Sequence, residues 1–196
     1  MADITIEQIK KLKELSGVGL TDAKQALVEA KGDFDKALEA MRKKGLTKAE
    51  KRGDRETREG LIDSYVHDGR IGAIVEVNCE TSFVAKTDEF KDLAHKMAMQ
   101  VASMNPLYVS EDDIPEDVRK AKMKELEENF KGPEKMKDQI LAGQAKKAFS
   151  DQVLLNQPYI LDDSKTVEQF IKESIAKTGE NLTVRQFKRI ELGVTE

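Results

Sequence analysis

Two kinds of hydrophobic pattern meet in one short stretch of the chain. The segment before it alternates with period two, which predicts a β-strand, and the segment after it has the helical period. The strand's apolar positions are Ile71, Ala73, Val75 and Val77, and the helix, from about Asp88 to Met104, has Phe90, Leu93, Ala94, Met97, Ala98 and Val101. Residues 78–90 therefore form a strand-to-helix turn, which belongs at the surface.

Phe83 is the unusual residue of this turn, because its neighbours Thr81, Ser82 and Lys86 are polar. Two interpretations are open. The ring packs beneath the start of the helix as an outlying core residue, or it is directed outward as a contact for another protein.

Residues 1–46 show three short amphipathic patterns, which predict a three-helix module. Thr5 and Gln8 have the spacing of a capping box, Gly17-Val18-Gly19 turns the chain, Asp33 precedes the third helix, and Gly45 is expected at that helix's end. The predicted inward faces are Ile6, Ile9, Leu12 and Leu15; Ala23, Ala26, Leu27 and Ala30; and Phe34, Ala37, Leu38 and Met41. So small a module makes a marginal core, and we expect it to serve as an attachment.

Residues 47–59 mix both charge signs and lack a sustained apolar face, which predicts a solvated linker with some helix. An RNA-binding strip is the functional alternative. The interspersed acidic residues disfavour it, because they cancel the field that phosphate binding needs.

Two strands, Leu61 to His67 and Ile71 to Asn78, flank Asp68-Gly69, a pair that suits a type I′ hairpin. A two-residue loop predicts the pairs Val66 with Ile71, Ser64 with Ala73, and Ile62 with Val75, all on the buried face. Asp63, Tyr65 and Glu76 are then expected on the other face.

The remaining chain predicts helices at about 115–130 and 133–149, a helix from Thr166 to near Gly179, and a strand-like run from Leu182 to Leu192. The hairpin is the run's strongest candidate partner. We therefore predict an α+β fold for residues 60–196, with a three-stranded antiparallel sheet covered by helices. A second copy of the chain is one way to cover an open sheet edge.

Composition narrows the classes of partner. Of 196 residues, 36% are charged and 5% are aromatic, and the formal net charge of -4 makes nucleic acid a poor default partner. One cysteine allows no internal disulfide, the amino terminus lacks signal-peptide blocks, and no apolar run reaches membrane-spanning length. These features lead us to expect a protein of the reducing cytoplasm with no membrane contact.

The residues that could support chemistry are scattered. His67 and His95 lie on different predicted elements, Cys79 has no neighbouring histidine, and Asp112-Asp113 precede a helix start, where acids are favoured. Gly17-x-Gly19 follows a helix and lacks the third glycine of a dinucleotide loop. We therefore expect no enzyme activity, metal or cofactor.

Four motifs, in order along the chain, carry a resemblance to a known family. They are residues 16–24 (SGVGLTDAK), residues 78–86 (NCETSFVAK), Gln157-Pro158-Tyr159, and residues 179–182 (GENL) leading into Arg185-Gln186-Phe187. Together they span nearly the whole chain. In these motifs the chain resembles the bacterial elongation factor Ts family, the guanine-nucleotide exchange factors of elongation factor Tu.

The resemblance implies a ubiquitin-associated-like module, a linker, and a core domain that presents the strand-to-helix turn to the GTPase. It implies that Phe83 is wedged near the partner's Mg²⁺ and nucleotide site. The implied partner-binding residues are Thr81, Ser82, Phe83 and Val84 in the turn, and Leu20, Thr21, Asp22 and Lys24 in the module. Short members of the family use two copies, so a homodimer is also expected.

Two positions depart from the family's pattern. Ser82 stands where the family usually carries Asp, and a Ser N-cap is expected to preserve the turn while weakening the partner contact. Thr21 stands where an apolar residue such as Met is usual. The alternative functions are an adaptor of the ubiquitin-associated type without exchange activity, and an RNA- or ribosome-associated factor.

Overall fold

The fold is taken from a computed structural model that describes residues 4–16, 19–130, 132–133 and 136–194, without the side chains of residues 42, 46, 48 and 146. The helices are α1 (Ile6–Ser16), α2 (Leu20–Glu29), α3 (Phe34–Glu50), α4 (Ser82–Ala85), α5 (Asp88–Met104), α6 (Glu116–Glu128), α7 (Lys137–Ser150) and α8 (Val167–Thr178). The strands are β1 (Glu59–His67), β2 (Ile71–Cys79), β3 (Pro158–Tyr159), β4 (Asp162–Thr166) and β5 (Leu182–Glu191). The predicted turn at Gly17-Val18 lies outside the described residues.

The three N-terminal helices enclose a small apolar cluster of their own, centred on Leu12, Leu27 and Met41. The capping box is confirmed, since the Gln8 amide donates to Thr5 Oγ1 at 3.2 Å and the Thr5 amide donates to Gln8 Oε1 at 3.0 Å.

The stripe predicted for α1 is wrong at its two ends, because Ile6 and Leu15 are exposed. Residues three apart are separated by about 300° around a helix, so this stripe rotates by about 60° at each step. Over nine residues Ile6 and Leu15 come to point in opposite directions. Of this stripe, only the two middle residues face inward: Leu12 belongs to the cluster, and Ile9 packs against it.

The prediction that the third helix ends at Gly45 is wrong. Helix α3 continues to Glu50 and packs against α8. A Cβ atom added at Gly45 would lie 3.1 Å from the Ala176 Cβ, so glycine permits this close approach. Ala49 is buried in the main core, and the Arg52 guanidinium donates to the Ile175 carbonyl at 3.4 Å. The segment predicted as a solvated linker therefore begins as part of the core packing.

The predicted α+β class is confirmed: β1, β2 and β5 form an antiparallel sheet in the order β1-β2-β5. One face of the sheet, named the inner face, packs against α5. All six apolar residues predicted for the buried side of α5 are buried. This helix starts at Thr87, whose hydroxyl accepts from the Phe90 amide, and ends at Asn105 in the left-handed conformation.

The predicted hairpin register is wrong by one residue. Asp68 and Gly69 do form the turn, both with positive φ and with the Arg70 amide bonded to the His67 carbonyl at 2.9 Å. However, His67 pairs with Ile71, so Arg70 is an additional loop residue. Its carbonyl accepts a hydrogen bond from the Leu192 amide at 2.8 Å, which holds Arg70 beside the end of β5.

This shift moves the side chains of β1 to the opposite faces from those predicted. Ala73 and Val75 of β2 are buried as predicted, but the residues of β1 opposite them are Tyr65 and Asp63. Ile62, Ser64 and Val66 lie on the other side of the sheet, named the outer face, and are exposed. Glu76 lies on the outer face as predicted.

The helices predicted near 115–130 and 133–149 are present as α6 and α7, which pack against each other. The ribbon of β3 and β4 has no clear alternation in sequence and is not predicted. Helix α8 has the expected limits, with a capping box between Thr166 and Gln169 and a C-cap at Gly179. The final strand is confirmed as β5.

Candidate functional site

The turn between β2 and α5 forms a short, anchored loop, and residues 80–87 are named the Phe83 loop. Its centre is α4, a single helical turn of four residues. Its C-terminal end is held by Thr87, whose hydroxyl donates to the Val84 carbonyl at 2.8 Å and whose amide donates to the same carbonyl at 3.0 Å. Thr87 is also the N-cap of α5, so the loop ends on a rigid helix.

The Phe83 side chain is 86% exposed. Its neighbours Val84 and Ala85 are half-buried and pack against the main core. Of the two interpretations of Phe83, packing beneath the helix is therefore wrong, and the ring is directed into solvent.

The N-terminal end of the loop is held by hydrogen bonds to side chains, which connect β2 and β5 beyond their last pair of residues. Asn78 pairs with Thr183 and Cys79 with Leu182, so the next positions place Glu80 opposite Asn181 and Thr81 opposite Glu180. There the Asn181 amide donates to Glu80 Oε1 at 2.7 Å. Thr81 donates to Glu180 twice, from its amide to Oε2 at 3.0 Å and from its hydroxyl to Oε1 at 2.6 Å.

These four residues, Glu80, Thr81, Glu180 and Asn181, are named the clasp. The segment that follows α3 is bound to it. The Asn181 side-chain amide donates to the carbonyls of Gly53 at 3.1 Å and Arg55 at 2.7 Å. The Arg55 guanidinium in turn lies 3.3 Å from a Glu80 oxygen. The clasp thus connects β2, β5 and the segment leading from the N-terminal helices.

The predicted capping role of Ser82 is wrong. Ser82 is the first residue of α4, and Thr81 occupies the N-cap position without making a side-chain cap. The Thr81 hydroxyl instead bonds to Glu180, and this tertiary contact anchors the turn in place of a local cap.

Cys79 is fully buried at the end of β2, directly before the Phe83 loop. Its thiol donates to the Thr81 carbonyl at 3.2 Å. Burial raises the pKa of this thiol above its ordinary value, and the negative charge of Glu180 raises it further. Cys79 therefore packs as a small, protonated core residue.

The second set of predicted site residues lies at the start of α2. Leu20, Thr21 and Lys24 are exposed there, and Asp22 is half-buried with its carboxylate 3.1 Å from Lys44 Nζ on α3. This set and the Phe83 loop lie on separate elements. They are linked through packing contacts, because α3 packs against α8. Helix α8 in turn has its C-cap at Gly179, directly before Glu180.

Both histidines contact Tyr65, which the corrected register places on the inner face of the sheet, beside α5. The Tyr65 hydroxyl lies 3.0 Å from His67 Nδ1, and its ring meets the His95 ring edge-on at 5.9 Å. His95 Nδ1 is 3.3 Å from Asp63. Among the residues that the structure describes, no group of three or more potential ligands is arranged to hold a metal ion.

The acidic pair before α6 has a structural role. Asp113 accepts from both the amide and the hydroxyl of Ser110 at 2.7 Å, and together they close a capping box over a short 3-10 turn. Within the described ranges, no helix combines the length and the apolar character needed to cross a bilayer.

Sequence reasoning missed the residues that support the Phe83 loop. Arg55 lies in the segment predicted to be a solvated linker, and Glu180 and Asn181 carry no sequence signal besides their family motif. The available signal was the register: once β5 pairs with β2 through Cys79 and Leu182, Thr81 must face Glu180.

Comparison with known proteins agrees with this architecture. A family model described as Elongation factor TS matches residues 5–194. An elongation factor Ts of Thermotoga sp. (strain RQ2) is 49% identical over 193 residues, which cover 97% of each chain. One of Moorella thermoacetica is 48% identical over 97% of this chain and 96% of its own. One of Rippkaea orientalis is 48% identical over 98% of this chain and 80% of its own. The chain therefore belongs to the elongation factor Ts family.

Proposed function

We propose that this chain is a guanine-nucleotide exchange factor that acts in the cytoplasm. It binds elongation factor Tu in its GDP form and promotes GDP release, with Phe83 inserted near the Mg²⁺ and nucleotide site. The observation that carries this proposal is the 86% exposed Phe83 ring on a loop anchored at both ends. Thr81, Ser82 and Val84 flank the ring in the contact, and the chain itself carries out no covalent step.

Thermodynamic linkage limits what one ring can achieve. Binding of the factor and binding of GDP must weaken each other by the same ratio. Burial of a phenylalanine is worth roughly 1.5–3 kcal/mol, or about one to two powers of ten in affinity. Phe83 must therefore disturb the metal and phosphate contacts of the GTPase, while a second contact between the two proteins supplies the remaining affinity. We assign that second contact to Leu20, Thr21, Asp22 and Lys24 of the N-terminal helices.

Release of a fluorescent GDP analogue from elongation factor Tu, with and without this chain, tests the proposal. The wild-type chain should accelerate release in a saturable manner. Phe83→Ala should lower the saturating release rate by roughly tenfold or more while weakening the complex much less. Leu161→Ala is the matched control, because Leu161 is also an exposed apolar residue and lies outside both proposed contacts.

Two outcomes would contradict this mechanism. A Phe83→Ala variant with the wild-type saturating rate would remove the ring from exchange. Binding to elongation factor Tu without any change in GDP release would favour the alternative of an adaptor that lacks exchange activity.

We further propose that the chain forms a homodimer through the outer face of its sheet. Four aliphatic side chains from all three strands are exposed there, with Ile190 at 75% and Ile62 at 66%. The other two are Val66 and Ile74. A two-fold interface requires a self-complementary surface, and this face also carries both charge signs in Glu76 and Lys188. A second copy is therefore the partner that its chemistry suits best.

Light scattering at several protein concentrations tests the dimer. The wild-type chain should have twice the mass of one chain, and Ile190→Asp should convert it to a monomer by placing a charge within the apolar face. Leu161→Asp, a substitution of an exposed residue elsewhere, should leave the mass unchanged. A monomeric wild-type chain, or a dimeric Ile190→Asp variant, would contradict the proposal.

A further inference from the structure

We infer that Glu180 is a positioning residue for nucleotide exchange, an inference that rests on the exchange function proposed above. By holding Thr81 through both its amide and its hydroxyl, Glu180 extends the rigid part of β2 to within two residues of Phe83. The ring is thereby kept directed into solvent before a partner arrives.

The contact has the geometry to do this. The two carboxylate oxygens of Glu180 accept from two different groups of one residue, at 3.0 Å and 2.6 Å. Both bonds have a charged acceptor, and such bonds are shorter and stronger than neutral ones. Two bonds to one residue restrict its rotation as well as its position. The direction in which the chain leaves β2 is therefore set at Thr81.

Glu180 is itself supported by the core. It directly follows Gly179, the C-cap of α8, whose φ of 80° is readily adopted only by glycine. Its amide donates to the Thr178 hydroxyl at 3.4 Å. The next residue, Asn181, is buried and bonded to Glu80, Gly53 and Arg55. The carboxylate therefore holds Thr81 from a stiff base.

The other end of the loop is held independently by Thr87, which bonds twice to the Val84 carbonyl. Phe83 thus lies on one helical turn between two anchored threonines. An aromatic side chain on a loose loop would lose conformational freedom on binding or fold back onto apolar neighbours. Because both ends are anchored, the loop is already ordered in the free protein. Little binding free energy is then spent on ordering it, and insertion of the ring can displace groups in the partner.

Two substitutions of Glu180 separate its hydrogen bonds from its charge. Glu180→Ala removes both bonds and should lower the saturating rate of GDP release from elongation factor Tu by roughly tenfold, with a small change in the half-saturating concentration. Glu180→Gln removes only the charge, because its carbonyl can accept from the Thr81 amide and its NH₂ can donate to the Thr81 hydroxyl. This variant should keep a rate close to the wild-type rate.

A double substitution shows whether Glu180 acts through Phe83. In a Phe83→Ala background, Glu180→Ala should cause no further loss of rate, since there is no ring left to position. Equal rates for wild-type and Glu180→Ala chains would overturn the inference. So would a Glu180→Gln variant as slow as Glu180→Ala, or two losses that multiply in the double variant.

Labelling of Cys79 provides a readout without a partner. This thiol is the only one in the chain, is fully buried, and donates to the Thr81 carbonyl. If Glu180 holds the loop, Glu180→Ala should raise the rate of thiol labelling several-fold, whereas Glu180→Gln should raise it far less. Equal rates in the Ala and Gln variants would contradict the positioning role.

Two further controls keep the outcomes distinct. If Glu180→Ala does not fold, Thr81→Val replaces it in the Cys79 labelling, because valine keeps the shape of threonine and removes one of the two bonds. Labelling is used because Thr81 also belongs to the proposed partner contact, and an unchanged labelling rate in this variant would contradict the inference. If the wild-type chain fails to accelerate GDP release, the proposed exchange function fails, and Cys79 labelling still reports whether Glu180 holds the loop.

Discussion

The inner and outer faces of the three-stranded sheet have similar side chains and opposite surroundings. Val75 on the inner face is buried against α5, whereas Val66 on the outer face is exposed. Ala73 and Val77 are buried with Val75, while Ile62, Ile74 and Ile190 remain in contact with solvent. Apolar content alone does not decide which face becomes the core.

Two features of the chain create this difference. The hairpin loop has three residues, which determines which side chains of β1 share a face with Ala73 and Val75. The strand-to-helix turn then returns α5 to the inner face only. The outer face keeps its aliphatic residues exposed, and we propose that a second copy covers them.

The largest expected loss of stability comes from removing a large side chain of α5 from the core that covers the inner face. Phe90 is the largest fully buried side chain of the main core, so Phe90→Ala should lower the free energy of unfolding by about 3–5 kcal/mol. Urea unfolding measures this change. A loss below about 1 kcal/mol would show that α5 contributes little to covering the inner face.

High pH should destabilise the same covered layer. Tyr159 is buried in the main core and stacks on Phe170 with ring centres 4.2 Å apart. Burial, with a smaller contribution from Asp92 and Asp162, raises its pKa from 10.0 to about 12. Below pH 10 the phenol is neutral in both states and stability is unaffected. Between these two pKa values the unfolded chain ionises first, so stability falls by roughly 2–3 kcal/mol.

Unfolding measured from pH 8 to 12 checks this expectation, with Tyr159→Phe as the control. The variant cannot ionise at this position and should lose less stability over the same range. Parallel curves for the two proteins would contradict the assigned role of Tyr159.

A truncation of the same residue type on each face compares them directly. Val75→Ala on the inner face should cost about 2 kcal/mol of unfolding free energy, from two lost carbon atoms and the cavity that they leave. Urea unfolding under conditions that keep the chain monomeric provides the measurement. A cost below about 0.5 kcal/mol would remove the distinction between the faces.

The smallest expected effect belongs to the matched residue on the outer face. Val66→Ala should change the unfolding free energy of the monomer by less than about 0.5 kcal/mol, because the side chain is already exposed. The same variant should weaken the proposed dimer, which sedimentation at low protein concentration would detect. A large loss of monomer stability would mean that this face is covered within one chain.

The features that were predicted correctly depend on local signals. The caps at Thr5, Asp33 and Thr166 and the buried side of α5 follow from spacing over a few residues. The three-stranded sheet followed because β5 had only the hairpin to pair with. These signals lie within one helix or between two strands with clear patterns, and the structures that they favour agree with the overall fold.

The features that were missed depend on contacts between distant parts of the chain. Arg70 is a loop residue whose carbonyl is bonded to the distant Leu192 amide. Helix α3 continues past Gly45, where it packs closely against α8. The support of the Phe83 loop comes from Glu180, 99 positions away from Thr81. The loop itself was predicted from the change of hydrophobic period around residues 78–90, while its partner contacts, which the family motif implies, stay predictions.

The three-residue hairpin loop has a consequence for how this chain can vary over evolution. Every residue of the loop is exposed, so substitutions there should be tolerated. Loss of Arg70 would leave Asp68-Gly69 as a two-residue connection between the same pair, His67 and Ile71, so the register and the faces of β1 would be kept. The cost would be the hydrogen bond between the Leu192 amide and the Arg70 carbonyl, which holds the loop beside the end of β5. At this site the pairing of His67 with Ile71 is what the fold has to preserve, and either loop length allows it.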